Sequence, residues 1–163
     1  MVELSPVAGV TLNIMAWLCW SLAVGYFGHR RPLQSFAADR WWSRLRSFER
    51  GGDWYARRVR IKDWKDRLPE LGALFEGGFA KRMVRRDRDH LERFVIETRR
   101  AEWVHWIAPL LWPVFAIWNP PWAVAVMVVY ATIVNLPCLL VQRYNRARLL
   151  KALERFERRS TVV

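Results

Sequence analysis

Three long apolar runs, Val7 to Phe27, Trp103 to Trp118 and Trp122 to Val141, interrupt a chain that is otherwise densely charged. Inside a bilayer no water is available to the backbone, so such a run must close its own hydrogen bonds as helix. At ~1.5 Å per residue the first and third runs reach about 30 Å, the thickness of a hydrocarbon core. The second reaches only about 24 Å, and it contains Pro109 and Pro113, which lack the amide hydrogen a helix interior needs. It reads either as a short tilted crossing or as part of a re-entrant helical hairpin closed by Asn119-Pro120-Pro121.

Charge orients these runs. Lys and Arg outnumber Asp and Glu by 27 to 15, and the chain carries eleven tryptophans. Basic loops beside apolar helices with Trp at their ends describe an integral membrane protein. A nucleic-acid binder would share the charge but has no use for the apolar runs, so no nucleic-acid partner is expected. His29-Arg30-Arg31 follows the first run and Gln142 to Arg148 follows the third, whereas Glu3 is the only charge ahead of the first. That order is the reverse of a secretory signal peptide. It places the N-terminus and residues 119–121 outside, and residues 28–102 and 142–163 in the cytosol.

The expected fold is therefore an all-α integral membrane protein forming one domain, 1–163. Its parts are a transmembrane helix at 7–27, a cytosolic amphipathic insert at 28–102, a short transmembrane or re-entrant helix at 103–118, a transmembrane helix at 122–141 and a basic tail at 142–163. About three crossings are expected. Within the insert, Asp39 to Phe48 interleaves Trp with Arg, a pattern suited to a helix lying on the bilayer surface. Gly51-Gly52, Pro69 and Gly77-Gly78 mark breaks. From Asp87, an N-cap residue, the spacing of Leu91, Phe94, Val95 and Thr98 predicts a helix that runs on into the second apolar stretch.

Glu102 and His105 fall one helical turn apart where this charged helix becomes apolar. An imidazole oriented by a carboxylate can take a proton from an alcohol; the same pair also suits a plain helix anchor in an aromatic belt. A second cluster, Gln142, Arg143, Asn145 and Arg146, leaves the third run at the same interface. It can bind phosphates of an acyl-coenzyme A or an oxyanion, or serve only as a positive-inside stop. Trp64-Lys65-Asp66-Arg67-Leu68-Pro69-Glu70 offers a rim over such a site, and Lys81, Arg82, Arg85 and Arg86 suit lipid headgroups or a phosphorylated donor. Cys19 and Cys138 lie in apolar runs, where a buried thiol is inert. A single Glu-x-x-His does not build a di-iron site, and no Cys or His spacing suggests zinc. His-x-x-x-x-Asp, Gly-x-Ser-x-Gly and phosphate-binding glycine motifs are absent.

Phe94 to Trp106, Ile61 to Pro69, Trp118-Asn119 and Gln142 to Arg148 together resemble the glycosyl-4,4'-diaponeurosporenoate acyltransferase family, and Glu49-x-Gly51-Gly52-x-x-Tyr55 fits more loosely. The likeness runs in order from about residue 45 to 150. It implies a membrane enzyme of bacterial carotenoid biosynthesis that moves a fatty acyl group onto a sugar hydroxyl of a glycosylated carotenoid or related glycolipid. The expected donor is acyl-coenzyme A, as co-substrate, with no cofactor and no metal.

On that basis His105 is the expected base and Glu102 its orienting partner. Arg143, Asn145 and Arg146 would hold donor phosphates or the oxyanion, with Arg99 or Arg100 assisting. Trp103 and Trp106 would line the sugar site or pin the interface, with Trp64 and Lys65 at the rim. The active site is expected on the cytosolic side. The alternatives are a non-catalytic membrane subunit that positions carotenoid or glycolipid for a partner enzyme, and a small membrane-shaping protein.

Overall fold

The computed structural model describes residues 4–68 and 87–160, and among these every regular element is helical. Pro69, Glu70, Gly77-Gly78 and the basic residues Lys81, Arg82, Arg85 and Arg86, all singled out above, lie outside the described residues. Helix α1 (Pro6–Arg30) is capped by Ser5, whose hydroxyl accepts from Ala8 N at 3.3 Å. Short helices α2 (Asp53–Arg58) and α3 (Ile61–Trp64) follow within the insert. Helix α4 (Arg88–Ile107) starts where the sequence places it, with the Asp87 carboxylate accepting from His90 N at 2.8 Å. Helix α5 (Pro121–Ser160) is 40 residues long.

Helices α1 and α5 are long and apolar enough to cross a membrane. The expected crossing at 103–118 is not one helix. Helix α4 ends at Ile107 and the chain tightens into a 3₁₀ stretch, Ala108–Ile117. Pro109 and Pro113 remove α-helical hydrogen bonds there, and ten residues of 3₁₀ helix cover only about 20 Å. A reciprocal amide pair then buries the turn. Asn119 Nδ2 donates to Asn13 Oδ1 at 2.9 Å, Asn13 Nδ2 returns a bond to Asn119 Oδ1 at 3.1 Å, and Trp118 Nε1 adds a third at 2.8 Å. The turn therefore sits beside the third turn of α1.

From that point the elements pack in register. Trp17 meets Phe115 and Tyr130, with ring centroids at 5.1 and 5.7 Å, and lies in a buried cluster with Leu111 and Ala131. Trp20 Nε1 donates to Ala108 O at 2.9 Å. Gly28 touches α4 so closely that a Cβ there would lie 2.6 Å from Val104 Cγ2. Helix α1 thus runs parallel to the start of α5 and antiparallel to α4. Beyond the apolar part, α4 and α5 continue as an antiparallel pair around Leu91, Phe94, Val95 and Leu149.

Residues 31–68 wrap this pair as a collar. The expected surface helix over Asp39 to Phe48 does not form: Trp41–Ser43 is a turn, and a 3₁₀ stretch begins only at Ser47. The carbonyls of Trp42, Ser43 and Arg44 accept from Arg143 Nη1, Arg146 Nη2 and Arg143 Nη2 at 3.1, 2.6 and 3.0 Å. A helix would have used those carbonyls itself, so tertiary bonds override the local pattern. Trp41 remains 84% exposed.

Gly51 and Gly52 turn the collar back on itself with φ of 72° and 80°. At Gly52 a Cβ would lie 3.1 Å from the Tyr144 ring and from Arg148 Cγ. Left-handed strain and crowding together predict that Gly52→Ala destabilises by about 2–4 kcal/mol. Gly9→Ala, inside α1 with nothing within 4 Å of the added carbon, is the control, expected to be stabilising by at most about 1 kcal/mol. Paired melting curves in detergent check this, and equal midpoints for the two variants would refute it.

Candidate functional site

The collar, α4 and α5 meet at a buried polar hub where the apolar part of the bundle ends. Helical spacing on α4 turns Glu102 onto the same buried face as Val95 and Thr98. On α5, Arg143 and Arg146 lie one turn apart and face it. Glu102 is 0% exposed. Its Oε1 accepts from Arg143 Nη1 at 2.6 Å, and Oε2 lies 2.6 Å from Arg146 Nη2 without an aligned hydrogen bond. Arg146 is also 0% exposed, and its Nε and Nη1 have no hydrogen-bond partner among the described residues.

Glu49 supplies the second carboxylate. It accepts from Arg143 Nε and Nη2, both at 2.7 Å, from Arg46 N at 2.5 Å and from the Tyr55 hydroxyl. The Arg143 guanidinium is thus held in a two-pronged grip by Glu49 while also reaching Glu102. Burial works to raise the Glu49 pKa, but bonds from Arg143, Tyr55 and the Arg46 amide outweigh it and hold the carboxyl below its usual value. Burial and the Glu49 bond push the Tyr55 phenol well above its ordinary range. Tyr55 is therefore a fixed donor near neutral pH. Two carboxylates and two guanidiniums balance in charge, as a buried cluster requires.

His105 sits one turn beyond Glu102 but does not bond to it. Its Nδ1 lies 3.0 Å from Asn135 Oδ1, and Asn135 Nδ2 donates to Ala131 O at 2.9 Å. The expected Glu102–His105 pairing is thus replaced by Asn135–His105, because Glu102 is occupied by two arginines. Trp106 Nε1 points to Glu102 Oε1 at 3.4 Å, and the ring is 47% exposed.

The remaining expected residues divide. Arg99 is tied to Asp39 through Nε and Nη2 at 3.0 and 2.7 Å and to Ala37 O at 2.7 Å. Arg100 pairs with Glu97 at 2.6 Å. Trp103 packs on Phe36 with centroids at 6.1 Å, and Arg31 lies 4.8 Å over its ring. Asn145 is half-buried, on a different face of α5 from Arg143 by helical rotation. Trp64 donates to Val59 O at 3.1 Å and packs against the cluster of Tyr55, Ile61, Val141 and Tyr144. Lys65 pairs with Asp66 at 2.5 Å. The hub therefore unites Glu102, Arg143 and Arg146 with His105 a turn away, and leaves Trp64 and Lys65 in the collar. Among the described residues no group of three or more His, Cys, Asp and Glu is arranged to hold a metal ion.

Glu49, Tyr55 and Asn135 escape a search for chemical motifs. Asn135 carried a readable signal, since an amide inside an apolar run is costly unless it has a partner. Glu49 and Tyr55 carried one only as spacing around a glycine pair.

The hub lies within the stretch of the chain that matches a known family. The family model described as glycosyl-4,4'-diaponeurosporenoate acyltransferase matches residues 38–155. Proteins of that name from Staphylococcus aureus strains USA300 and NCTC 8325 / PS 47 are each 32% identical over 147 residues, covering 89% of this chain and 88% of the relative. The protein from strain Newman is 31% identical over the same share. No solved structure matches the chain. The matched region takes in the collar from Ala38, all of α4 with Glu102 and His105, and α5 through Arg143 and Arg146, and the chain belongs to the glycosyl-4,4'-diaponeurosporenoate acyltransferase family.

Proposed function

We propose that this protein is a membrane acyltransferase that moves a fatty acyl group from a thioester, acyl-coenzyme A, to a sugar hydroxyl of a glycosylated carotenoid or related glycolipid. Beside family membership, the observation that carries the site is an imidazole, His105, held by Asn135 at the boundary between the apolar helices and the charged hub.

In the proposed reaction His105 Nε2 takes the proton of the sugar hydroxyl as its oxygen attacks the thioester carbonyl carbon. The tetrahedral intermediate collapses with cleavage of the carbon–sulfur bond. The departing thiolate takes the proton from the imidazolium, leaving ester, free thiol and neutral His105. Glu49, Glu102, Arg143 and Arg146 act as the frame that sets α4 against α5. Trp106, exposed beside His105, is suited to stack on a sugar face, and Trp103 to pin the interface.

Helices α1 and α5 would cross a bacterial plasma membrane, with the 3₁₀ stretch dipping between them. Arg30, Arg31 and the basic residues after Val141 lie at one end of the bundle, which the positive-inside rule assigns to the cytosol. Both reactants have polar heads and apolar tails, so a site at headgroup depth reaches them without extracting either from the bilayer.

Purified protein in detergent, supplied with acyl-coenzyme A and a glycosylated carotenoid, is expected to release coenzyme A in step with an acylated product seen by mass spectrometry. Binding of the carotenoid with no turnover from any acyl thioester would favour the lipid-positioning subunit instead.

A further inference from the structure

We propose that Asn135 is the positioning residue that fixes the tautomer of His105, placing the proton on Nδ1 and the free electron pair on Nε2. The inference rests on the acyl-transfer function proposed above for its catalytic meaning, but its geometry stands apart.

A neutral imidazole carries its proton on either nitrogen, and its neighbours decide which. A side-chain amide can offer His105 either its oxygen or its NH₂ group. Here that choice is made by a third group. The Ala131 carbonyl can only accept, and Asn135 Nδ2 donates to it at 2.9 Å. The amide oxygen is therefore turned toward His105, 3.0 Å from Nδ1. An oxygen cannot donate, so Nδ1 must. Nε2 is left as the basic atom, the one a hydroxyl proton would need.

The setting makes an incidental asparagine implausible. Asn135 is 7% exposed, while its chain neighbours Val134 and Leu136 are each 47% exposed on the apolar part of α5. A buried amide among such residues is unfavourable without partners. Its side chain has two, the Ala131 carbonyl and the His105 ring. Because Ala131 lies one turn earlier on α5, the helix itself holds the amide plane, and the ring on α4 is read against it.

The test is ¹⁵N NMR of the histidine side chains in the full chain in detergent, with His105 identified by its loss in His105→Gln. Wild type is expected to show a protonated Nδ1 and an unprotonated Nε2. Asn135→Leu should release the ring toward the Nε2–H form and lower kcat by roughly 10²-fold with KM unchanged. Asn135→Asp, kept protonated by its apolar surroundings, can donate its O–H to Ala131 O and accept from Nδ1 with its other oxygen, and should restore both the Nδ1–H form and most of kcat. An Nε2–H ring in wild type, or an unchanged ring in Asn135→Leu, overturns the proposal. So does failure of Asn135→Asp to keep the proton on Nδ1, a reading that needs no leucine variant if that one does not fold. Should the tautomers respond as expected while wild type turns over no acyl donor, positioning stands and the acyl-transfer function fails.

Discussion

Glu102→Gln is expected to lower stability by about 3–5 kcal/mol, the usual cost of stranding a buried charge, and to drop the melting midpoint in detergent by roughly 6–20 °C. The size follows from an unequal division of partners. Arg143 keeps Glu49 when Glu102 is neutralised, at 2.7 Å through two nitrogens. Among the described residues Arg146 keeps no carboxylate, only the Ser43 carbonyl, and it is wholly buried with Nε and Nη1 already unpaired there. The loss therefore falls on Arg146. It follows that Arg146→Met should rescue Glu102→Leu: removing both charges leaves apolar side chains of similar length, which is commonly neutral. Glu49→Gln should cost less than Glu102→Gln, because Arg143 retains Glu102. A midpoint for Glu102→Gln within about 1 °C of wild type, or a double variant no better than the single, would contradict the hub as the latch between α4 and α5.

What the sequence reveals and conceals about this hub has a physical pattern. Helix α4 was legible because its signals are local: the Asp87 cap and the spacing of Leu91, Phe94 and Val95 both lie within the element they define. The lengths of α1 and the apolar part of α5 were legible because bilayer thickness sets them. Glu102, Arg143 and Arg146 were legible as a group because charge at the end of an apolar run is conspicuous. Their roles were not. A carboxylate one turn from a histidine looks like its partner, and only the fold brings Arg143 and Arg146 in from α5 to claim it first. The collar failed for the same reason. Asp39 to Phe48 has the composition of a surface helix, yet its carbonyls are spent on arginines about a hundred positions away. The second crossing shows a middle case: Pro109 and Pro113 announced a weak helix, and only the fold shows it tightening into a 3₁₀ stretch whose far end is held by the Asn13–Asn119 pair.

His105→Gln should leave the melting midpoint nearly unchanged and reduce turnover by about 10²–10⁴-fold, the range for removing a general base. Glutamine is the sharper choice than alanine. Its amide NH₂ can still donate to Asn135 Oδ1, so the contact between α4 and α5 survives, but it has no nitrogen able to accept a proton. His105→Ala removes both the base and the bond, and the difference between the two variants in stability, about 1 kcal/mol, measures the bond alone. If the imidazole acts only as an anchor in the aromatic belt, the order reverses: glutamine, which keeps the bond, should retain turnover, and alanine should lose it together with stability. Coenzyme A release by wild type, His105→Gln and His105→Ala, each normalised to folded protein, separates the two. Full turnover in His105→Gln would remove this residue from the chemistry. Glu49 could not then replace it, since Arg143 and Tyr55 occupy its oxygens and hold its carboxyl below the usual range, making it a weak base, and it is sealed from substrate at 3% exposure. Loss in both variants with the glutamine fold intact would place the proton transfer on His105.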